Sequence, residues 1–160
     1  MRASFFSISL LCFITAVQVL FCADVKGAAF IDRRPLKGAH IILWKASEKS
    51  AAEKVEEAKS GDEGDFSFSG IKDLEGEGSF YVTAQDPEDT AVALLSVMGP
   101  ELIPSIVINE LTTVASIFTH SRFMKGSLIE GGSFLGLKVA AKNVPSLVDP
   151  ATGLWGKTVL

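Results

Sequence analysis

The chain has 160 residues, a formal charge of −4 and 48% hydrophobic side chains, enough for one domain with a core or a small domain with an appendage. Acids and bases are spread along it without a basic block, so the electrostatic footprint of a nucleic-acid binder is absent and no nucleic-acid partner is expected.

Arg2 supplies one positive charge, residues 5–21 read FFSISLLCFITAVQVLF, and CADVKG then turns polar. A basic start, an apolar run and a small-residue exit predict a secretory signal peptide over residues 1–22, cut after Cys22. The apolar run of 17 residues is slightly long for a signal and slightly short for a spanning helix, so an uncleaved anchor is the alternative. Lipidation at Cys22 is a second alternative, disfavoured by the bulky Phe21 before it. The chain is expected to be secreted, with membrane contact only through this segment. Cys12 and Cys22 are its only cysteines, so the mature chain would hold neither a disulfide nor a thiol nucleophile.

In the mature chain AAFI is a short apolar run, and DRRPLKG is a turn set up by Asp32 and Pro35 and closed by Gly38. AHIILWKA is a strand apolar on both faces at its centre, as a strand near the middle of a sheet would be. His40 at its start reads as a strand-end residue rather than a ligand. Residues 47–59, SEKSAAEKVEEAK, form either a few turns of exposed helix or a loop with an edge strand. A loop with KVEEAK as an edge strand pairing with the strand of residues 66–69 is preferred.

The stretch SGDEGDFSFSG, residues 60–70, concentrates three carboxylates, Asp62, Glu63 and Asp65. A calcium loop of the EF-hand type needs oxygens at alternate positions, but counting from Asp62 the third is Gly64 and the fifth is Phe66. The stretch therefore reads as a tight turn, with positive φ supplied by Gly61 and Gly64, feeding a strand that Gly70 ends. Phe66 and Phe68 should enter a core while Ser67 and Ser69 face out. SFYVTAQD continues the pattern, with Phe80, Val82 and Ala84 alternating with Tyr81 and Thr83. Short strands at this spacing, with glycine-rich turns, predict a mainly β chain built on a small antiparallel β-sandwich.

The order GAAFID, PLKGAHIILW, GDFSF and FYVTA resembles the carboxypeptidase regulatory-like domain, a transthyretin-like β-sandwich. Gly27 matches its first-strand glycine, and Pro35, Leu36, Gly38 and Ala39 its turn and strand start. Gly64, Phe66 and Phe68 match its hairpin, and Tyr81 and Val82 the following strand. The likeness spans residues 25 to about 109, and the charged insert at 47–59 departs from it. It implies a non-catalytic module, often placed beside a secreted enzyme, a receptor or an adhesin.

AVALLSVMG and SIVINE read as late strands of the sandwich. NELTTVASIFTHSRFM has helical spacing, with Asn109 as N-cap and Leu111, Val114, Ala115, Ile117 and Phe118 on one apolar stripe. FLGLKVAAKNVPSLVDP is a second amphipathic stretch, expected to break at Pro145. Residues 23–109 are thus the sandwich and residues 110–160 a helical C-terminal segment.

ATGLWGKT, residues 151–158, fits a relaxed phosphate-loop pattern, but that mechanism needs a strand before it and a helix after it, and Pro150 precedes. No Gly-x-Ser-x-Gly elbow and no HExxH occur, and His120 beside Ser121 reads as a core-edge or surface histidine. No residue is assigned a catalytic, cofactor-binding or metal-ligating role, and no cofactor is expected. The expected function is that of a secreted, non-catalytic module with a binding, adhesion or structural role toward a protein or carbohydrate. The alternative is an N-terminal fragment or accessory domain of a larger secreted enzyme or adhesin.

Overall fold

The computed structural model describes residues 22–48, 50–72 and 77–156. The expected signal segment lies outside them except for Cys22, as do residues 157–160. The strands in chain order are β1 (Cys22–Ile31), β2 (Arg34–Pro35), β3 (His40–Ala46), β4 (Glu53–Lys59), β5 (Asp65–Lys72), β6 (Ser79–Gln85), β7 (Ala93–Gly99) and β8 (Ser105–Ile108). Helix α1 (Glu110–His120) follows, then β9 (Met124–Lys125), β10 (Leu128–Ile129), α2 (Phe134–Leu147), β11 (Val148–Asp149) and β12 (Leu154–Trp155). The chain is mainly β, a small sandwich followed by a helical segment.

In one sheet β1 pairs antiparallel with β5 and parallel with β8, while β2 folds back on the end of β1. The other sheet is antiparallel throughout, in the order β4-β3-β6-β7. Their facing sides meet in one core, to which Val25, Ile41, Leu43, Phe66, Phe68, Val82 and Ile106 all contribute. Phe66 and Phe68 are buried edge to face, 5.6 Å between ring centres, and Ser67 and Ser69 face out, as the alternation requires. The apolar centre of β3 has the expected cause, since β4 and β6 flank it and its other face carries Trp44 stacked on Tyr81.

Three local readings are corrected by the backbone. The charged strand β4 is an edge strand, but it pairs with β3 and not with β5, which lies in the other sheet and takes β1 as its partner. Only Gly64 of the turn has positive φ, at 76°, and a Cβ there would stand 2.4 Å from the Ala29 carbonyl oxygen; Gly61 has no such conformation. β5 also runs through Gly70 to Lys72, because the pairing with β1 shifts register around Asp24, whose carboxylate accepts the Gly70 N–H at 2.9 Å.

The second core lies on the far side of the β4-β3-β6-β7 sheet. There Tyr81, Leu95 and Val97 meet Ala115 of α1 and Leu137, Ala141 and Val144 of α2. The Tyr81 hydroxyl accepts the Ile129 N–H at 3.2 Å and so holds β10 to the sheet. Helix α1 begins at the expected cap: the Asn109 side chain accepts the Thr112 N–H at 2.9 Å, and the Thr112 hydroxyl accepts the Asn109 N–H at 2.9 Å.

The face that α1 buries is not the expected one. Thr112, Ala115, Ser116 and His120 point inward, whereas Val114 is 66% and Phe118 74% exposed. The cause is the edge of β7. Its Leu95 and Val97 N–H groups have no strand to pair with on that side, and α1 lies along them with hydroxyls that accept both, Thr113 at 2.9 Å and Ser116 at 3.2 Å. Helix α2 likewise does not break at Pro145 but ends two residues later. Pro145 sits in the last turn, where its missing N–H costs a single bond, and the Val148 N–H still reaches the Val144 carbonyl.

Candidate functional site

Three segments distant in sequence converge beside the start of α1. The first is the β1–β2 turn, where Ile31 pairs with Arg34 across two residues in left-handed conformation, Asp32 (φ 50°) and Arg33 (φ 62°). Neither is glycine, so the turn stores about 1–2 kcal/mol per residue that neighbouring contacts must offset. One such contact is the Glu110 carboxylate, which accepts the Asp32 N–H. A second is the ion pair of Asp32 with Arg34 at 3.6 Å.

The second segment is the junction of β8 with α1. Asn109 does more than cap the helix, since its side-chain amide also donates to the Gly153 carbonyl at 2.9 Å. The third is the β11–β12 hairpin, tied to β8 by the Val107 N–H donating to the Pro150 carbonyl at 2.8 Å. Gly153 turns this hairpin with φ 67°, and a Cβ there would lie 2.6 Å from both Asn109 Nδ2 and Val107 Cγ1, so only glycine allows the approach.

Between the three segments is an open cleft of about 680 Å³, lined by Phe30, Asp32, Arg33, Val107, Asn109, Glu110, Leu111, Thr152, Gly153, Leu154 and Trp155. Its chemistry is mixed. Trp155 is 63% exposed, with Leu154 exposed beside it, and the lining also carries one guanidinium and two carboxylates. An exposed indole among ionised hydrogen-bonding groups can cover an apolar surface while the charged groups orient it.

The residues weighed in the sequence lie elsewhere. His40 is exposed at the start of β3, 3.5 Å from Glu57. The Glu57 carboxyl is held below its ordinary value by its hydrogen bond to Lys54 first and by His40 second. His120 is fully buried at the end of α1, its Nδ1 3.1 Å from the Ser116 carbonyl oxygen and its Nε2 without a hydrogen-bond partner among the described residues. Burial pushes its pKa down to about 4. In the acidic turn Asp62 is engaged by Lys37 at 2.6 Å, and that hydrogen bond and charge lower its pKa. Among the described residues no three His, Cys, Asp or Glu side chains are grouped to hold a metal ion. Nor is any helix among them long and apolar enough to cross a membrane. In ATGLWGKT, residues 151–155 form the end of a hairpin rather than a loop opening a helix, and residues 157–160 lie outside the described part.

That stretch nonetheless supplies Gly153, Leu154 and Trp155 to the cleft. The sequence marked each part by itself, a tryptophan in a glycine-flanked segment and DRRPLKG as a turn set up by Asp32, but nothing local showed that the two meet.

No family model and no curated protein matches the chain. Among solved structures it is similar to a 9R-lipoxygenase from Cyanothece PCC8801, with 8% sequence identity and a TM-score of 0.35. That match covers 52% of this chain and 14% of the lipoxygenase, and a likeness so slight carries no argument about either fold or activity.

Proposed function

We propose that the chain is a secreted, non-catalytic β-sandwich module that binds an extracellular protein segment or oligosaccharide at the Trp155 cleft. The observation that carries this reading is that exposed Trp155 shares one cleft with Arg33, Asp32 and Glu110, whose segments are joined by hydrogen bonds that reach across the sequence. Tryptophan and arginine are among the side chains enriched at the energetic centres of binding surfaces. The resemblance of residues 25–109 to carboxypeptidase regulatory-like domains supports a binding role, and the apolar segment 5–21 supports export.

The test has two arms. Exported protein should begin near Ala23 or Asp24 by intact mass, and recovery of the chain from Met1 in the cytosol would count against secretion. Panels of oligosaccharides and peptides should then yield ligands that perturb the Trp155 indole N–H resonance and leave that of Trp44 in place. Trp155→Ala should weaken such binding about tenfold or more with the melting temperature unchanged. A ligand bound equally well by Trp155→Ala would move the site elsewhere, and a ligand chemically altered by the protein would replace the module with an enzyme.

A further inference from the structure

A second surface has no partner among the described residues, and it lies on the helices. At 100° per residue, the buried residues of α1 (Thr112, Ala115, Ser116, His120) and its exposed Val114, Ile117 and Phe118 fall on opposite sides of the helix. The same holds for α2, whose Leu137, Ala140, Ala141 and Val144 are buried while Leu135 and Val139 are exposed. Both helices bury their inner side against one sheet, in one core. Their exposed stripes therefore share the outer surface of a single helical layer. Glu110 opens this side of α1, and between it and Arg122 the exposed stripe of Val114, Ile117 and Phe118 is apolar.

Charge decides what fits this surface. Residues 23–109 carry 16 acids against 9 bases, whereas residues 110–160 carry 3 acids against 5 bases. Arg122 follows α1 directly, Lys138 and Lys142 lie on α2, and Lys125 is on the adjoining hairpin. Of the three acids, Glu130 lies 3.8 Å from Lys125 and offsets it, while Glu110 stands at the start of α1 and Asp149 just after α2, which leaves Arg122, Lys138 and Lys142 beside the stripes. A second copy docked face to face would set these cations against their own copies. An anionic bilayer would meet them with opposite charge and turn the acidic sandwich outward.

We infer that the outer face of the helical layer docks on the surface of a membrane containing anionic lipid. With α1 of 11 residues and α2 of 14, the layer can lie in the interface but cannot span it. Phe118, Leu135 and Val139 enter the boundary of the acyl chains, and Arg122, Lys138 and Lys142 meet the headgroups. This departs from the expectation that membrane contact is confined to residues 5–21, and it is independent of the cleft.

The test is co-sedimentation of the full chain with vesicles of phosphatidylcholine alone and of phosphatidylcholine mixed with phosphatidylglycerol. Binding should favour the mixed vesicles and weaken with added salt. Phe118→Ser with Leu135→Ser should weaken it about tenfold or more, since two large apolar side chains no longer leave water. Both positions are exposed, so circular dichroism and melting should match the parent chain; Val114→Ser with Val139→Ser repeats the test at two further exposed positions. Lys138→Glu with Lys142→Glu should abolish the preference for phosphatidylglycerol. Equal binding by the serine variants would assign the interaction to residues 5–21 and overturn the inference. So would equal binding to both vesicles, or a lipid-free dimer in sedimentation velocity that Phe118→Ser dissociates.

Discussion

Phe68 is 1% exposed and packs edge to face with Phe66 at the centre of the sandwich, on a strand whose alternate residues face water. Truncation to alanine removes most of its buried surface and leaves a cavity, which typically costs about 3–5 kcal/mol. Phe68→Ala should therefore lose a cooperative urea transition or lower its midpoint sharply, and Ser67→Ala should melt like the parent chain. His120 has the opposite kind of leverage, because its burial penalises a charge. Its folded pKa, near 4, lies below the unfolded value of about 6.5, so as the pH falls the unfolded chain takes up the proton first. The stability that the neutral ring contributes is complete above pH 6.5 and is lost as the pH drops toward 4, a loss of about 3 kcal/mol. Urea titrations at pH 7 and pH 4 should show it, and His120→Leu should flatten that part of the pH dependence. The Asn109 side chain acts differently again, satisfying a helix N–H with its oxygen and the hairpin carbonyl with its nitrogen.

At the scale of elements, α1 explains how the β4-β3-β6-β7 sheet ends. An edge strand presents unpaired N–H and C=O groups that invite another chain. β7 meets α1 instead, and the Thr113 and Ser116 hydroxyls take the bonds a neighbouring strand would have made. Ser116→Ala should leave the buried Val97 N–H without an acceptor and cost about 1–3 kcal/mol, whereas alanine on the water side of the same helix, in Ile117→Ala, should cost less. Chemical denaturation of the two variants side by side measures the difference. The other edge, β4, is managed by charge: Glu53, Lys54, Glu56, Glu57 and Lys59 line it, and Lys54 and Glu57 pair at 3.0 Å. The β11–β12 hairpin is small, but three hydrogen bonds from Val107, Asn109 and Gly156 tie it to the elements around it, and it carries Trp155 to the cleft.

The whole molecule is three layers with two cores, and the β4-β3-β6-β7 sheet belongs to both. β6 is its most enclosed strand: Phe80, Val82 and Ala84 face the sandwich, and Tyr81 faces the helices. Opening β6 requires both cores to part, so its amides should exchange with solvent only through global unfolding. Those of β4, a strand with no buried residue at the edge of the sheet, should exchange faster by local opening. Hydrogen exchange followed residue by residue checks this, and equal protection in β4 and β6 would contradict a shared central sheet. The two proposed surfaces adjoin at the start of α1: Glu110 and Leu111 line the cleft, and Val114 and Phe118 continue the side of the helix on which Leu111 lies.

Features that depend on neighbours in sequence were legible before any fold was known. Alternation alone sends Phe66 and Phe68 inward, the turn ahead of them needs its glycine at position 64, and Asn109 caps the helix that begins beside it. The choice of β3 as partner for β4, the side of α1 that is buried and the cleft itself came from tertiary structure. Periodicity records which side chains dislike water, not where an edge strand will leave N–H groups to satisfy. At β7 that demand brought Thr113 and Ser116 to the strand edge and left Phe118 outside. The cleft depends on bonds that join Asp32 to Glu110 across 78 residues and Asn109 to Gly153 across 44, and no local pattern encodes a contact at that range.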